Sequence, residues 1–181
     1  MELTQGQVRE LDRMIRAALD ETYDRHMPLI AKAAHERPIA FWFGLHFHPL
    51  VEASSFKEEG IFIDFDCDLN GADPKAADGI DAFTQIILHH RGDSACNIAM
   101  IQFKTHWNAS ASRDIRELRK STLENSKHGY GLGVSVTLKK SIVQAAGKVR
   151  YFIKGEEVFR HLDFAAMPEA KRTANPKKPQ R

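Results

Sequence analysis

Val8, Leu11, Ile15 and Ala18 recur at alternating steps of three and four, with Leu19 four after Ile15 and mostly charged residues between them. That period predicts an amphipathic helix over residues 4–25 with one buried stripe. Thr4 followed three positions later by Gln7 supplies a capping box at its start. His35-Glu36-Arg37-Pro38 reads as a second helix start, with an acid and a proline in the first turn. The run that follows, IAFWFGLHFH, is apolar on nearly every side and predicts a buried helix, which Pro49 should end near His48.

From residue 61 the period changes to two. In IFIDFDCDL, residues 61–69, Ile61, Ile63, Phe65, Cys67 and Leu69 point one way, and Asp64, Asp66 and Asp68 point the other. Asn70-Gly71, Asp73-Pro74 and Asp78-Gly79 then mark a turn-rich loop. TQIILHH (84–90) and IAMIQFK (98–104) predict two buried strands joined by a short polar loop. A helix should follow from about residue 112 to Lys127, with Ile115, Leu118, Thr122 and Leu123 on its inner face and Gly129 and Gly131 closing it. YGLGVSVTL (130–138) and VRYFIKGEEV (149–158) predict the last strands. Three strands in succession imply antiparallel pairing, and a strand-helix-strand crossover implies a parallel pair. The fold class expected is therefore α/β, a mixed central sheet flanked by helices.

Composition adds bounds. With 181 residues, 43% of them hydrophobic and 28% charged, the chain suits one domain with a full core. Residues 1–167 should form it, with N-terminal helices in 1–50 and the sheet in 60–158. The stretch 168–181, PEAKRTANPKKPQR, reads as a basic, disordered tail. No apolar run reaches the length of a membrane span, and the first residues carry no secretory h-region. Two cysteines in strand-like segments add to the expectation of a reducing, cytoplasmic setting. The net charge of +2 conceals an asymmetry: residues 1–103 hold 9 basic against 17 acidic side chains, and residues 104–150 hold 10 against 3. The basic block predicts a phosphate-facing surface.

Polar residues inside the buried strands are the most informative feature. Asp66, Gln85, and Gln102 with Lys104 lie on three consecutive predicted strands. Gln102 and Lys104, two apart, share a strand face. Carboxylates and a neighbouring lysine are what metal-dependent phosphodiester cleavage needs: hard oxygens for the ion, and an ammonium to orient water or stabilise phosphate charge. The histidines favour zinc less, because those of His46-Phe47-His48 and of His89-His90 diverge from one another. No nucleophile elbow, Walker loop or dinucleotide fingerprint is present.

Over residues 36–155 the chain resembles the PD-(D/E)XK nuclease superfamily. TQIILHHRGD stands where that family has a strand opening with Pro-Asp, and MIQFK stands where it has an acid, one residue and a lysine. The resemblance implies a restriction-endonuclease-like fold and a nucleic-acid-associated protein with DNA or RNA as partner. Mg²⁺ or Mn²⁺ would be its cofactor if it is active. It implies that Asp66 and Gln102 hold the ion, Lys104 assists the attacking water, Gln85 fills a ligand position, and Glu36 supports the site. Arg113, Arg116, Arg119 and Lys120 would meet phosphates. The chain departs from the pattern at two places, Gln85 and Gln102, where neutral amides replace acids and oppose no charge to Mg²⁺. That departure points to a degraded or atypical nuclease. The alternative is a non-catalytic binding or interaction module that keeps the fold, including as a homodimer.

Overall fold

The computed structural model describes residues 2–32, 35–65, 85–91, 97–105, 111–126, 129–139 and 149–158. Helices α1 (Gln5–Ala31), α2 (Glu36–Glu52) and α3 (Ser55–Glu58) precede strands β1 (Phe62–Phe65), β2 (Gln85–His89) and β3 (Asn97–Thr105). Helix α4 (Ala111–Ser121) leads to β4 (Leu132–Leu138), β5 (Val149–Ile153) and β6 (Glu156–Glu157). The six strands form one mixed sheet in sequence order. All neighbours are antiparallel except β3 and β4, which run parallel across the α4 crossover. The expected α/β architecture with both kinds of pairing is therefore present. The calls on Asp66 and on the 168–181 tail lie outside the described residues.

Helix α1 starts where its capping box predicts: Thr4 Oγ1 accepts the Gln7 N–H at 3.2 Å, and Gln7 Oε1 accepts the Thr4 N–H at 2.9 Å. It runs past residue 25 to Ala31, across a kink at His26 with φ −122° and ψ 18°. Pro28 lies just beyond; without an N–H it leaves one carbonyl of the preceding turn unpaired, a standard cause of such a bend. Helix α2 also outruns its expected end, continuing through Pro49 to Glu52. The carbonyl that Pro49 deprives of a partner belongs to Leu45, an exposed residue.

The sheet sorts its side chains by alternation. Ile101 and Phe103 of β3, with Ile86, Leu88, Val134, Val136 and Tyr151, join Leu11, Ile15, Phe43 and Phe47 of α1 and α2 in the main core. The pairing register slips between Leu88 and His89, and the bulge lets Ile98 and Ala99 both enter that core. On the opposite face Ile87, Met100, Tyr130 and Phe152 pack with Leu118 of α4. The last hairpin turns through Lys154 and Gly155, both at positive φ (50° and 79°), as a two-residue primed turn requires. α1 is fastened to the C-terminal strands: the Tyr151 hydroxyl donates to Asp12, which also pairs with Arg16 at 2.9 Å.

Helix α4 ends at Ser121, short of the expected Lys127. The Thr122 hydroxyl donates to the carbonyls of Leu118 (3.0 Å) and Arg119 (3.1 Å), and Tyr130 N–H donates to Ser121 O at 2.9 Å. These bonds satisfy carbonyls that a continuing helix would use. Leu118 and Thr122 are buried as expected, whereas Leu123, beyond the helix, is exposed.

Candidate functional site

On β3 the residues that alternate with Ile101 and Phe103 are Met100, Gln102 and Lys104, and they face α4. Met100 pairs there with apolar neighbours; Gln102 and Lys104 do not. Gln85, placed by its backbone, sits directly opposite Gln102, which neighbours Ser135, which in turn neighbours Arg150. These four positions form one polar row across β2, β3, β4 and β5, next to the apolar row of Ile87, Met100, Gly133 and Phe152.

Two carboxylates of α4 close over that row. Lys104 Nζ lies 2.9 Å from Asp114 Oδ2, with both side chains below one-tenth exposed. Gln102 Nε2 donates to Glu117 Oε2 at 3.3 Å. Gln102 is 2% exposed, and among the described residues no donor reaches its Oε1. Burial pulls the Lys104 ammonium below the ordinary lysine range, while the negative charges of Glu36 and Glu117 pull it the other way. Glu36, in the first turn of α2, accepts the Thr105 hydroxyl at 2.9 Å and the Thr105 N–H at 3.4 Å. Glu36 thus lies at the Thr105 end of β3, close enough for its charge to act on Lys104.

Asp114 and Glu117 are the members that sequence reasoning missed. A signal existed: Asp114 stands four residues before Leu118, on the same helical stripe as the core contact. Asp114 is 1% exposed, and a buried carboxylate is stable only when paired. Of the four basic positions expected to meet phosphates, all fall within α4. Arg116 and Lys120 are exposed, one turn apart on its outer side. Arg119 is half-buried, with its guanidinium carbon 5.9 Å from the Phe152 ring centre, so part of it serves packing. Arg113 lies in the first turn of the helix.

Nearer β1, a second polar group sits on the same sheet face. His89, 4% exposed, places Nε2 2.8 Å from Asp64 Oδ2. Arg91 donates to both oxygens of Asp64 and lies over the Phe62 ring at 4.7 Å. The Arg91 bonds, then the His89 bond, hold the Asp64 carboxyl below the usual carboxylate range.

Asp66, expected with Gln102 to hold a divalent cation, lies outside the described residues. Among the described residues no three His, Cys, Asp or Glu side chains group to hold one. Asp114 Oδ2 faces the Lys104 ammonium and Glu117 Oε2 accepts the Gln102 amide N–H, while Asp114 Oδ1 and Gln102 Oε1 are buried with no donor among the described residues. Mg²⁺ dehydrates reluctantly and demands several well-placed oxygens. Chemically, the ion pair and the amide bond fasten α4 to the sheet and leave two buried oxygens without donors among the described residues.

The class defined by this architecture is a mixed α/β domain whose six-stranded sheet carries helices on both faces. No family model, curated protein or solved structure matches the chain. None of the described helices is long and apolar enough to cross a membrane.

Proposed function

We propose that this chain is a nucleic-acid-associated protein with a restriction-endonuclease-like core, whose cleavage site is degraded and which acts by binding. The observation that carries the reading is the use made of Lys104. In a cleaving site that ammonium would face a scissile phosphate; here Asp114 holds it at 2.9 Å beneath α4. With Gln102 tied to Glu117, the polar residues of β3 fasten a helix whose outer side bears Arg116 and Lys120. Strand-borne chemistry is thereby converted into support for a basic surface. The excess of basic residues over 104–150 favours the same assignment.

Binding of DNA and RNA oligonucleotides measured between about 50 and 200 mM salt tests it, since phosphate contacts weaken steeply over that range. Arg116→Ala and Lys120→Ala should each lower the slope of log affinity against log salt by about one contact. Absence of binding at the lowest salt defeats the nucleic-acid assignment. Cleavage by the natural chain with Mg²⁺ or Mn²⁺, lost in Lys104→Ala, defeats the claim that the site is degraded. The double change Gln85→Asp with Gln102→Glu tests the resemblance itself: an ion site created by it supports a nuclease ancestry, and none argues against it.

A further inference from the structure

α1 and α2 leave an open groove on their solvent side. Its floor is apolar, made by Ala17 of α1 with Leu45, Pro49 and Leu50 of α2. Leu45 is 47% exposed, and the apolar surface runs on along α2 to Trp42 and Phe41. The wall is acidic, from Asp20, Glu21 and Asp24. Arg25 offsets Glu21 at 2.7 Å, and the wall stays net negative through the other two. Desolvation in the groove raises the Asp20 carboxyl above its usual range. An apolar trough beside a net-negative wall fits a segment that offers apolar residues followed by basic ones.

The chain itself contains such a segment. Residues 159–181 read FRHLDFAAMPEAKRTANPKKPQR, with apolar residues first and six basic against two acidic overall. Phe159, Leu162 and Ala166 fall at helical spacing. Its point of departure is close: Val158 N–H donates to Tyr151 O, and Tyr151 is bonded to Asp12 of α1. The described chain therefore ends beside α1. The 23 residues that follow can span up to ~75 Å when extended, several times the ~10–12 Å helix they must round.

We propose that residues 159–181 of the same molecule dock in the α1–α2 groove. Residues 159–167 cover Leu45, Pro49 and Leu50, and Lys171 and Arg172 meet Asp20 and Asp24. The docking stands apart from the nucleic-acid reading and needs none of its residues.

Hydrogen exchange on the full chain at low salt tests it. The amides of residues 160–167 are expected to exchange at least tenfold more slowly than in the free 159–181 peptide. Leu45→Asp, and separately Asp20→Lys with Asp24→Lys, should return them to the free-peptide rate while the β3 amides stay protected. Free-peptide rates in the natural chain overturn the proposal. So does protection that survives both groove changes, which places the segment elsewhere. Protection that fades on dilution overturns it too, because a second copy would then be the occupant.

Discussion

Replacing Lys104 by Met isolates the role of the buried ion pair. The side chain keeps its length and loses its charge, so Asp114, 1% exposed, faces an apolar group with a carboxylate to place. Stripping one partner from a buried pair costs about 3–5 kcal/mol, because the remaining charge must stay buried or take up a proton. Against a typical stability of about 5–15 kcal/mol, that is a third or more of the total in many domains. The expected result of urea unfolding at pH 7 is a midpoint lowered by about 1–5 M at unchanged slope, for a slope of about 1–3 kcal/mol per molar. The double change Lys104→Met with Asp114→Leu should recover most of the loss, since matched apolar replacements of buried pairs are neutral or stabilising. A single variant destabilised by under about 1 kcal/mol would place the pair in an effectively solvated setting. A double variant as weak as the single would show that packing, not the orphaned charge, accounts for the loss. Either result refutes the clamp.

Three further outcomes follow from named contacts. Asp64 is held below the ordinary carboxylate range by Arg91 and His89, so its stabilising contribution is complete above about pH 4 and is lost as pH falls through the lowered value. Asp64→Asn should therefore flatten the pH dependence of the urea midpoint below pH 4, and an unchanged profile would contradict this. Tyr151→Phe removes the hydroxyl that donates to buried Asp12 and should cost about 1.5–3 kcal/mol, the range for bonds to charged groups; a change under 0.5 kcal/mol by thermal unfolding contradicts it. Thr105→Val deletes the 2.9 Å bond to Glu36 at constant shape, and should cost about 1–2 kcal/mol without altering the far-ultraviolet dichroism.

Most of the sheet was legible because two local signals agreed. The period of two over residues 98–104 separates Ile101 and Phe103 from Gln102 and Lys104, and the observed faces follow that division. The helix between β3 and β4 announced the parallel pair, and β1 to β3 the antiparallel ones. Pro49 misled because it removes only one N–H from the ladder: the helix resumes beyond it, and the Ala53 N–H bonds the Pro49 carbonyl at 3.2 Å. The end of α4 was overrun because Thr122 reads as a tolerable helical residue, while its hydroxyl instead takes the Leu118 and Arg119 carbonyls. At the site, Lys104 and Gln102 could be named from their strand, but their partners could not. The stripe that Asp114 shares with Leu118 marks it as inward-facing, but which side chain it meets 10 positions away is a tertiary fact that the helical period does not carry.

The bond from Tyr151 to Asp12 joins positions 139 residues apart, and this sets a schedule for synthesis. The apolar stripe of α1 leaves the ribosome 139 residues ahead of its partner on β5. At about 5–20 residues per second, roughly 7–30 s separate the two. During that interval Leu11, Ile15 and Ala18 have no strand β5 to lie on. A newborn chain therefore presents a sticky helix long before it owns a complete sheet, and its yield in a cell should depend on whatever shields that helix in the meantime.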